Sequence, residues 1–357
     1  MASSGQGLES GGDGHGAGRI AETTHSLALQ ILAAVPVLRL DLPADWCQEA
    51  TEESARDQAA VVRAVQDVWQ YYPAAAAYRS RLLKRIEGTL AEPDEGWYNL
   101  LSDGESTKPA EPGFQFRTFR HCPAPSKDRA AAGTSITLHE CTALTQQGTT
   151  GLRTWDAAVM LANHLCDTLC SSPARTCPTG PSSILELGAG TGVVGLLLAG
   201  TLNKQWHPKD AQPCVVLTDY HEAVLANLTR NADLNWTLQP EPRPTCASID
   251  WRNPMPAHLA RPEGYDWVVA ADVVFDPQLL PDLLDTILAA LGSKSRAFIA
   301  TTVRNPDTFA TWCNLLESHP DLVVCTHDLR ALRAGHVDLQ SDHQFDVFLH
   351  ELTRASP

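Results

Sequence analysis

"SSILELGAGTGVVGLLLAG" occupies residues 182–200. A short apolar stretch carrying Glu186 runs into Gly188, Ala189, Gly190 and Gly192, and an apolar run follows. That order reads as strand, tight loop and buried helix. An ordinary turn needs one or two glycines. Three at alternating positions suit a loop whose backbone is approached closely by a bound molecule, because glycine admits positive φ and puts no side chain in the way. The free N–H groups at the start of the next helix would point into the same cleft.

The rhythm repeats downstream. Apolar strands are expected at "CVVLT" (214–218), "CASI" (246–249), "DWVVAA" (266–271) and "RAFIATT" (296–302), with two more at 322–326 and 345–353. Helical patterns fall at 193–202, 221–234, 279–291 and 306–318. Alternating strands and helices imply an α/β fold. The sheet would be doubly wound and mostly parallel, with helices on both faces and a ligand beyond the carboxyl ends of its strands.

Ahead of the sheet the pattern differs. Residues 155–169 look helical, and "FQFRTF" (114–119) and "SITLHE" (135–140) alternate as paired strands do. Helical stripes cover 20–38, 58–72 and 74–90; in the second, Val61, Val65, Val68 and Trp69 share one face. Residues 91–113 are rich in Pro, Gly and Glu and read as a loop. The expected domains are a disordered tail at 1–19, an N-terminal helical region at 20–113, a β-hairpin connector at 114–148 and the sheet domain at 149–357.

Composition narrows the function. The 357 residues are 43% hydrophobic, carry a net charge of -15 and have a pI near 5.2. The sole short basic run is "RSRLLKR" (79–85), so a nucleic-acid partner is not expected. An acidic surface suits a basic or lysine-presenting partner. No membrane span is expected, since the most apolar stretch holds Glu186 and a dense set of glycines. The polar N-terminus lacks an apolar signal core. Cys166, Cys170 and Cys177 come nearest to a cluster, but without the paired spacing of a metal site. No metal is expected, and the thiols read as reduced, as in a cytoplasmic protein. The sequons at Asn227 and Asn235 then read as chance matches on a helix.

The strand ends carry chemistry. Asp219 closes the second strand, where a carboxylate can accept both hydroxyls of a ribose. Asp250 and Trp251 follow the third, suited to an amino edge and a flat base. Asp272 closes the fourth within "AADVVF". Each has a plainer explanation, a helix cap for the aspartates and a core aromatic for Trp251. "GTGVVG" (190–195) also satisfies the dinucleotide pattern GxGxxG, which leaves a NAD-linked oxidoreductase as an alternative. The strand ends after "DW" and "AADVVF" go unexplained on that reading.

The combination "ELGAGTG … TD … DW … AADVVF" resembles the seven-β-strand, S-adenosylmethionine-dependent methyltransferases of the class I, Rossmann-like fold. A D-x-x-Y/F element at Asp272–Phe275 and "GLRTWDAA" (151–158) are similar to their protein-lysine methyltransferase group. "GTTGLRTWDAA" (148–158), "AADV" (270–273), "TVRNP" (302–306) and "YYPAAAAYRSRLLKRI" (71–86) resemble the elongation factor 2 lysine methyltransferase family. Two departures stand out. "NKQWHPKDAQP" (203–213) reads as an inserted loop, and Phe275 stands where a tyrosine is common.

The resemblance implies a protein-lysine N-methyltransferase in the cytoplasm, acting as a monomer on elongation factor 2 with S-adenosylmethionine as cofactor. It implies that Gly188, Ala189 and Gly190 pass under the methionine part, Asp219 takes the ribose, and Asp250 and Trp251 flank the adenine. Ala271 would offer backbone and Trp155 would close the site. Glu186 would hold the loop or reach the cofactor's amino group through water. Asp272 would orient the amine or relay its proton, or else cap the turn; Phe275 would line an apolar channel. Arg304 would grip the substrate or brace the C-terminal turns by bonding to carbonyls.

Overall fold

In the computed structural model, residues 27–28, 30–32, 40, 42–48, 50–69, 74, 76–102, 113–121, 133–171, 180–205, 212–236, 242–332 and 345–355 are described. The chain divides into two compact units, Met1–Pro109 and Ala110–Pro357. The expected tail and most of the first expected helix (20–38) lie outside the described residues, as do 122–132 and 206–211.

The first unit contains α1 (Ala44–Gln48), α2 (Glu52–Trp69), α3 (Ala76–Thr89) and α4 (Glu95–Leu101). Val61, Val62, Val65 and Trp69 form the buried face of α2, and Val68 lies at its margin. Helix α4 corrects the loop expected over 91–113. Asp94 caps it by accepting the Gly96 N–H, and Trp97 and Leu101 are buried. Its anchor is Gln58 on α2. The Gln58 amide donates to the Glu92 carbonyl at 3.1 Å, and its oxygen accepts from the Asp94 backbone at 2.9 Å and the Trp97 indole at 3.1 Å.

The second unit opens with an antiparallel pair, β1 (Phe114–His121) and β2 (Thr134–Cys141). The order is then α5 (Asp156–Ser171), β3 (Ser183–Leu187), α6 (Val193–Gln205), β4 (Cys214–Asp219), α7 (Glu222–Trp236), β5 (Thr245–Ser248) and β6 (Tyr265–Ala271). It ends with α8 (Leu280–Ala290), β7 (Leu291–Thr302), α9 (Pro306–Ser318), β8 (Leu322–Asp328), α10 (Leu329–Leu332) and β9 (Val347–Arg354). Asn203–Gln205, expected to start an inserted loop, finish α6.

Seven strands form one sheet in the order β5-β4-β3-β6-β7-β9-β8. Strands β3 to β7 run parallel, and β9 is antiparallel to both β7 and β8. Successive strand residues point to opposite faces, so both faces are apolar. Ile184, Val215, Leu217 and Val269 pack with α5, α6 and α7. Leu185, Val216, Val268 and Ile299 pack with α8 and α9. The first β-strand of the sheet, β3, has later strands on both sides. The order therefore reverses between β3 and β6, and the crevice beyond their carboxyl ends is the switch point. Among the described residues, no helix is long and apolar enough to cross a membrane.

Candidate active site

The glycine loop leaves β3 at this switch point. Gly188 has φ +63° and Gly190 φ +55°. A β-carbon on Gly188 would lie 2.8 Å from Val273 Cγ1 and 3.4 Å from Trp251 Cζ2; one on Gly190 would lie 3.1 Å from the Gly151 carbonyl. The protein's own neighbours thus already require glycine here, besides any ligand that rests on the loop. Ala189 is buried, and its N–H donates to the Thr218 carbonyl at 2.8 Å.

Two carboxylates hold the loop from below. The buried Glu186 Oε2 accepts the Gly195 N–H, in the first turn of α6, at 2.9 Å. Through that contact Glu186 ties β3 to the first turn of the helix that follows the loop. Burial pushes its carboxyl up to about 8; the Gly195 bond opposes that shift, and the nearby Asp219 adds to it. Folded protein therefore holds this proton where unfolded chain has lost it. Stability contributed by the group is present below about pH 4.5 and lost as pH rises through about 8. Glu186→Gln mimics the protonated form. It should remove most of the decline in melting temperature between about pH 5 and about pH 9, measured without added ligand. An unchanged decline would show that another group controls it.

Asp219 ends β4. Its Oδ1 accepts the Tyr220 N–H at 2.9 Å and the His221 N–H at 3.2 Å, while Oδ2 accepts the Gly190 N–H at 3.2 Å. Burial raises its carboxyl above the usual range, against those bonds. With a single N–H contact, Oδ2 keeps acceptor capacity for a hydroxyl. Tyr220 beside it is 61% exposed.

Beyond β5, Trp251 packs partly against the core and faces Gly188. Asp250 is held by its own turn. Its carboxylate accepts two bonds from the Arg252 guanidinium, at 2.9 and 2.8 Å, and one from the Asn253 amide at 3.1 Å. The Arg252 bond holds its carboxyl below the usual range. With the Arg252 backbone N–H also reaching Oδ1 at 3.2 Å, each oxygen already accepts two bonds, so an amino edge would compete with Arg252 or Asn253.

Beyond β6, half-buried Ala271 leads into Asp272, whose φ is +56°. This non-glycine residue in a left-handed conformation is held from several directions. Its N–H donates to the Ala300 carbonyl at 2.9 Å, and Oδ1 accepts the Thr302 N–H at 3.0 Å. Arg304 donates to both oxygens, at 3.2 and 3.1 Å. The turn sends Val273 against the glycine loop and leaves Phe275 63% exposed.

Of the two roles expected for Arg304, gripping the substrate or bracing carbonyls, the second is not what the side chain does. It grips a carboxylate, and its guanidinium lies 4.7 Å from the centre of the Trp155 ring. The local reason lies in "TVRNP". Asn305 caps α9 by accepting the Asp307 and Thr308 N–H groups, and Pro306 occupies the first turn, leaving Arg304 on the sheet side. Trp155 is fixed in turn, its indole donating to the Thr150 carbonyl at 3.2 Å.

Sequence reasoning missed the residues that tie this site to the hairpin. Asn231 on α7 accepts the His139 N–H at 2.8 Å and donates to the His139 and Thr191 carbonyls at 3.2 and 3.0 Å. Asn235 does the same for the backbone of Thr137, while Asn227 donates to the His139 carbonyl at 2.9 Å and its oxygen meets the His139 ring Nδ1 at 2.8 Å. The Thr154 and Thr191 hydroxyls share a bond of 2.7 Å, and buried Glu140 accepts the Thr154 N–H and pairs with Arg117. The fourfold spacing of Asn227, Asn231 and Asn235 along one helix face was the available signal. Asn227 is also buried, which fits the reading of its sequon as a chance match.

Comparison with known proteins places the fold and site in context. A family model described as lysine methyltransferase matches residues 135–319. The protein-lysine N-methyltransferase EEF2KMT of Homo sapiens is 33% identical, over 66% of this chain and 67% of its own. EEF2KMT of Mus musculus is 30% identical over 66% and 65%, and EFM3 of Saccharomyces cerevisiae 29% over 52% and 56%. The chain spans about two thirds of the length of the first curated relatives it matches. With half of the chain matched by that family model, and the glycine loop and acidic strand ends meeting at one switch point, this protein belongs to the lysine methyltransferase family.

Proposed function

We propose that the chain is a protein-lysine N-methyltransferase that uses S-adenosylmethionine and acts on elongation factor 2 in the cytoplasm as a monomer. The observation that carries the reading is the convergence of the glycine loop, Asp219, Trp251 and the Asp272 turn on the β3/β6 switch point. When bound, S-adenosylmethionine supplies an electrophilic methyl on its sulfonium, which a neutral lysine amine displaces. The donor groups present suit it. Asp219 Oδ2 has acceptor capacity for a ribose hydroxyl, and Trp251 offers an aromatic surface beside Gly188. Gly188, Ala189 and Gly190 would carry the methionine part, with Glu186 fixing their loop from behind. Asp250 would serve the adenine in competition with Arg252 and Asn253, while Ala271 offers backbone at the mouth.

The protein's part is position and electrostatics. A lysine with an ordinary pKa of ~10.4 is neutral in only ~1 molecule in 2,500 at pH 7. The exposed Phe275 ring, with Trp155, would give the acceptor an apolar approach that disfavours the ammonium form. The specific substrate rests on "TVRNP", on residues 71–86 and on relatives named EEF2KMT.

Calorimetric titration with S-adenosylmethionine and NADH tests the cofactor: binding of the first alone is expected, and binding of NADH alone would favour an oxidoreductase. Trp251→Ala should weaken S-adenosylmethionine by about 1–3 kcal/mol if the ring stacks on the base. A lower melting temperature with undiminished affinity would assign Trp251 to the core instead. Labelled cofactor incubated with a translation-factor extract should mark a band that mass spectrometry identifies as elongation factor 2; a different labelled protein would overturn the substrate.

A further inference from the structure

We propose that Arg304 is a positioning residue of the acceptor mouth: it cancels the charge of Asp272 and fixes Trp155, so that the acceptor amine meets the site uncharged. The inference rests on the reading above that the Asp272–Phe275 turn and Trp155 border the lysine's path.

The geometry is a clamp across three segments. Arg304 follows β7, Asp272 follows β6, and Trp155 precedes α5. The guanidinium meets both Asp272 oxygens while stacking on the indole of Trp155. The Asp272 carboxylate is 5% exposed, whereas the Arg304 side chain is 41% exposed. The cation thus stands on the solvent side of the pair and covers the carboxylate. A bidentate guanidinium contact fixes orientation as well as charge, which an ammonium cannot match.

Other acidic residues lie on the same segments of the chain. The adjoining segments carry Asp156 at the start of α5, Asp276 after Phe275, Asp307 in the first turn of α9 and Asp346 ahead of β9. Arg153, also nearby in sequence, is turned to the Thr142 carbonyl at 3.0 Å. Asp276 spends its Oδ1 on the Gln278 N–H. Without Arg304, an incoming ammonium would meet an Asp272 carboxylate that keeps the Thr302 N–H but has lost its counter-charge. A carboxylate close by favours the ammonium form and raises the amine's pKa. The enzyme would then hold its acceptor well but in the form that cannot attack. A guanidinium already in place removes that trap and adds repulsion towards a charged amine.

The test uses the full-length chain with purified, unmodified elongation factor 2 and S-adenosylmethionine, followed over about pH 6.5 to about pH 10. Arg304→Gln should lower kcat about tenfold near neutrality without raising KM for the protein acceptor. Its basic limb should move up by about one pH unit, so that the deficit closes at high pH. Arg304→Lys, which keeps the charge, should restore most of the neutral-pH rate. The rate deficit of Arg304→Gln should persist at saturating S-adenosylmethionine, which separates it from any loss of cofactor affinity through Trp155. Trp155 emission, isolated by subtracting a Trp155→Phe background, should change in Arg304→Gln, because the ring loses its cation.

An active wild-type chain whose pH profile is unchanged in Arg304→Gln overturns the charge-cancelling role. Unchanged Trp155 emission overturns the clamp. Failure of the underlying reading looks different: the wild-type chain would leave elongation factor 2 unmodified at every pH, and the inference would fall with it.

Discussion

Gly190→Arg should lower S-adenosylmethionine affinity by at least about 100-fold, equivalent to about 2.7 kcal/mol or more. The backbone there has φ +55°, and its N–H donates to Asp219 Oδ2. A left-handed non-glycine residue costs about 1–2 kcal/mol even with a small side chain. The β-carbon would also press on the Gly151 carbonyl at 3.1 Å, so the loop must shift, and Asp219 Oδ2 would lose its N–H donor. The long side chain would then occupy the cleft. Gly190→Ala separates these effects, since it carries the strain and the close contact without the bulk. It should lose stability and a smaller part of the affinity. Calorimetry on each variant, with circular dichroism to confirm folding, checks the prediction. A folded Gly190→Arg protein with wild-type affinity would remove the loop from the cofactor site.

The second large effect concerns the N-terminal unit. The residues implicated in cofactor binding, from Trp155 to Ala271, all fall within the unit Ala110–Pro357. A protein lacking residues 1–109 should bind S-adenosylmethionine with nearly unchanged affinity, provided it folds. It should methylate intact elongation factor 2 at least about tenfold more slowly, a loss of about 1.4 kcal/mol or more of transition-state stabilisation. The physical argument is that a lysine on a folded protein is selected by docking at a distance from the reacting atoms, which raises its effective concentration at the site. The net charge of -15 adds a general steering towards basic surfaces. Full activity of the folded, truncated protein on the intact factor would contradict a docking role.

Much of the sheet domain was legible because its signals are local. "SILEL" followed by alternating glycines fixes β3 and its loop, and Asp219 and Asp272 sit where strands end. What escaped depends on partners far along the chain. Helix α4 lies in a Pro- and Gly-rich stretch and forms because Gln58, more than thirty residues earlier, meets its cap and its buried Trp97. Arg304 could not be assigned a partner from "TVRNP" alone, since Asp272 and Trp155 approach it only when β6, β7 and the start of α5 are assembled. Asp250 escaped for a different reason: its partner Arg252 is only two residues away, and their pairing depends on the local turn conformation rather than on residue type. The glycines carried a mixed message. Their positions marked the site, but Val273, Trp251 and the Gly151 carbonyl crowd them as a ligand would.

The most direct test of the account is the mass of purified, unmodified elongation factor 2 after incubation with the full-length chain and S-adenosylmethionine. The account predicts the appearance of added methyl groups, mapped by fragmentation to a lysine and absent when Gly190→Arg protein is used. An unmodified factor, from a chain shown by calorimetry to bind S-adenosylmethionine, would contradict it.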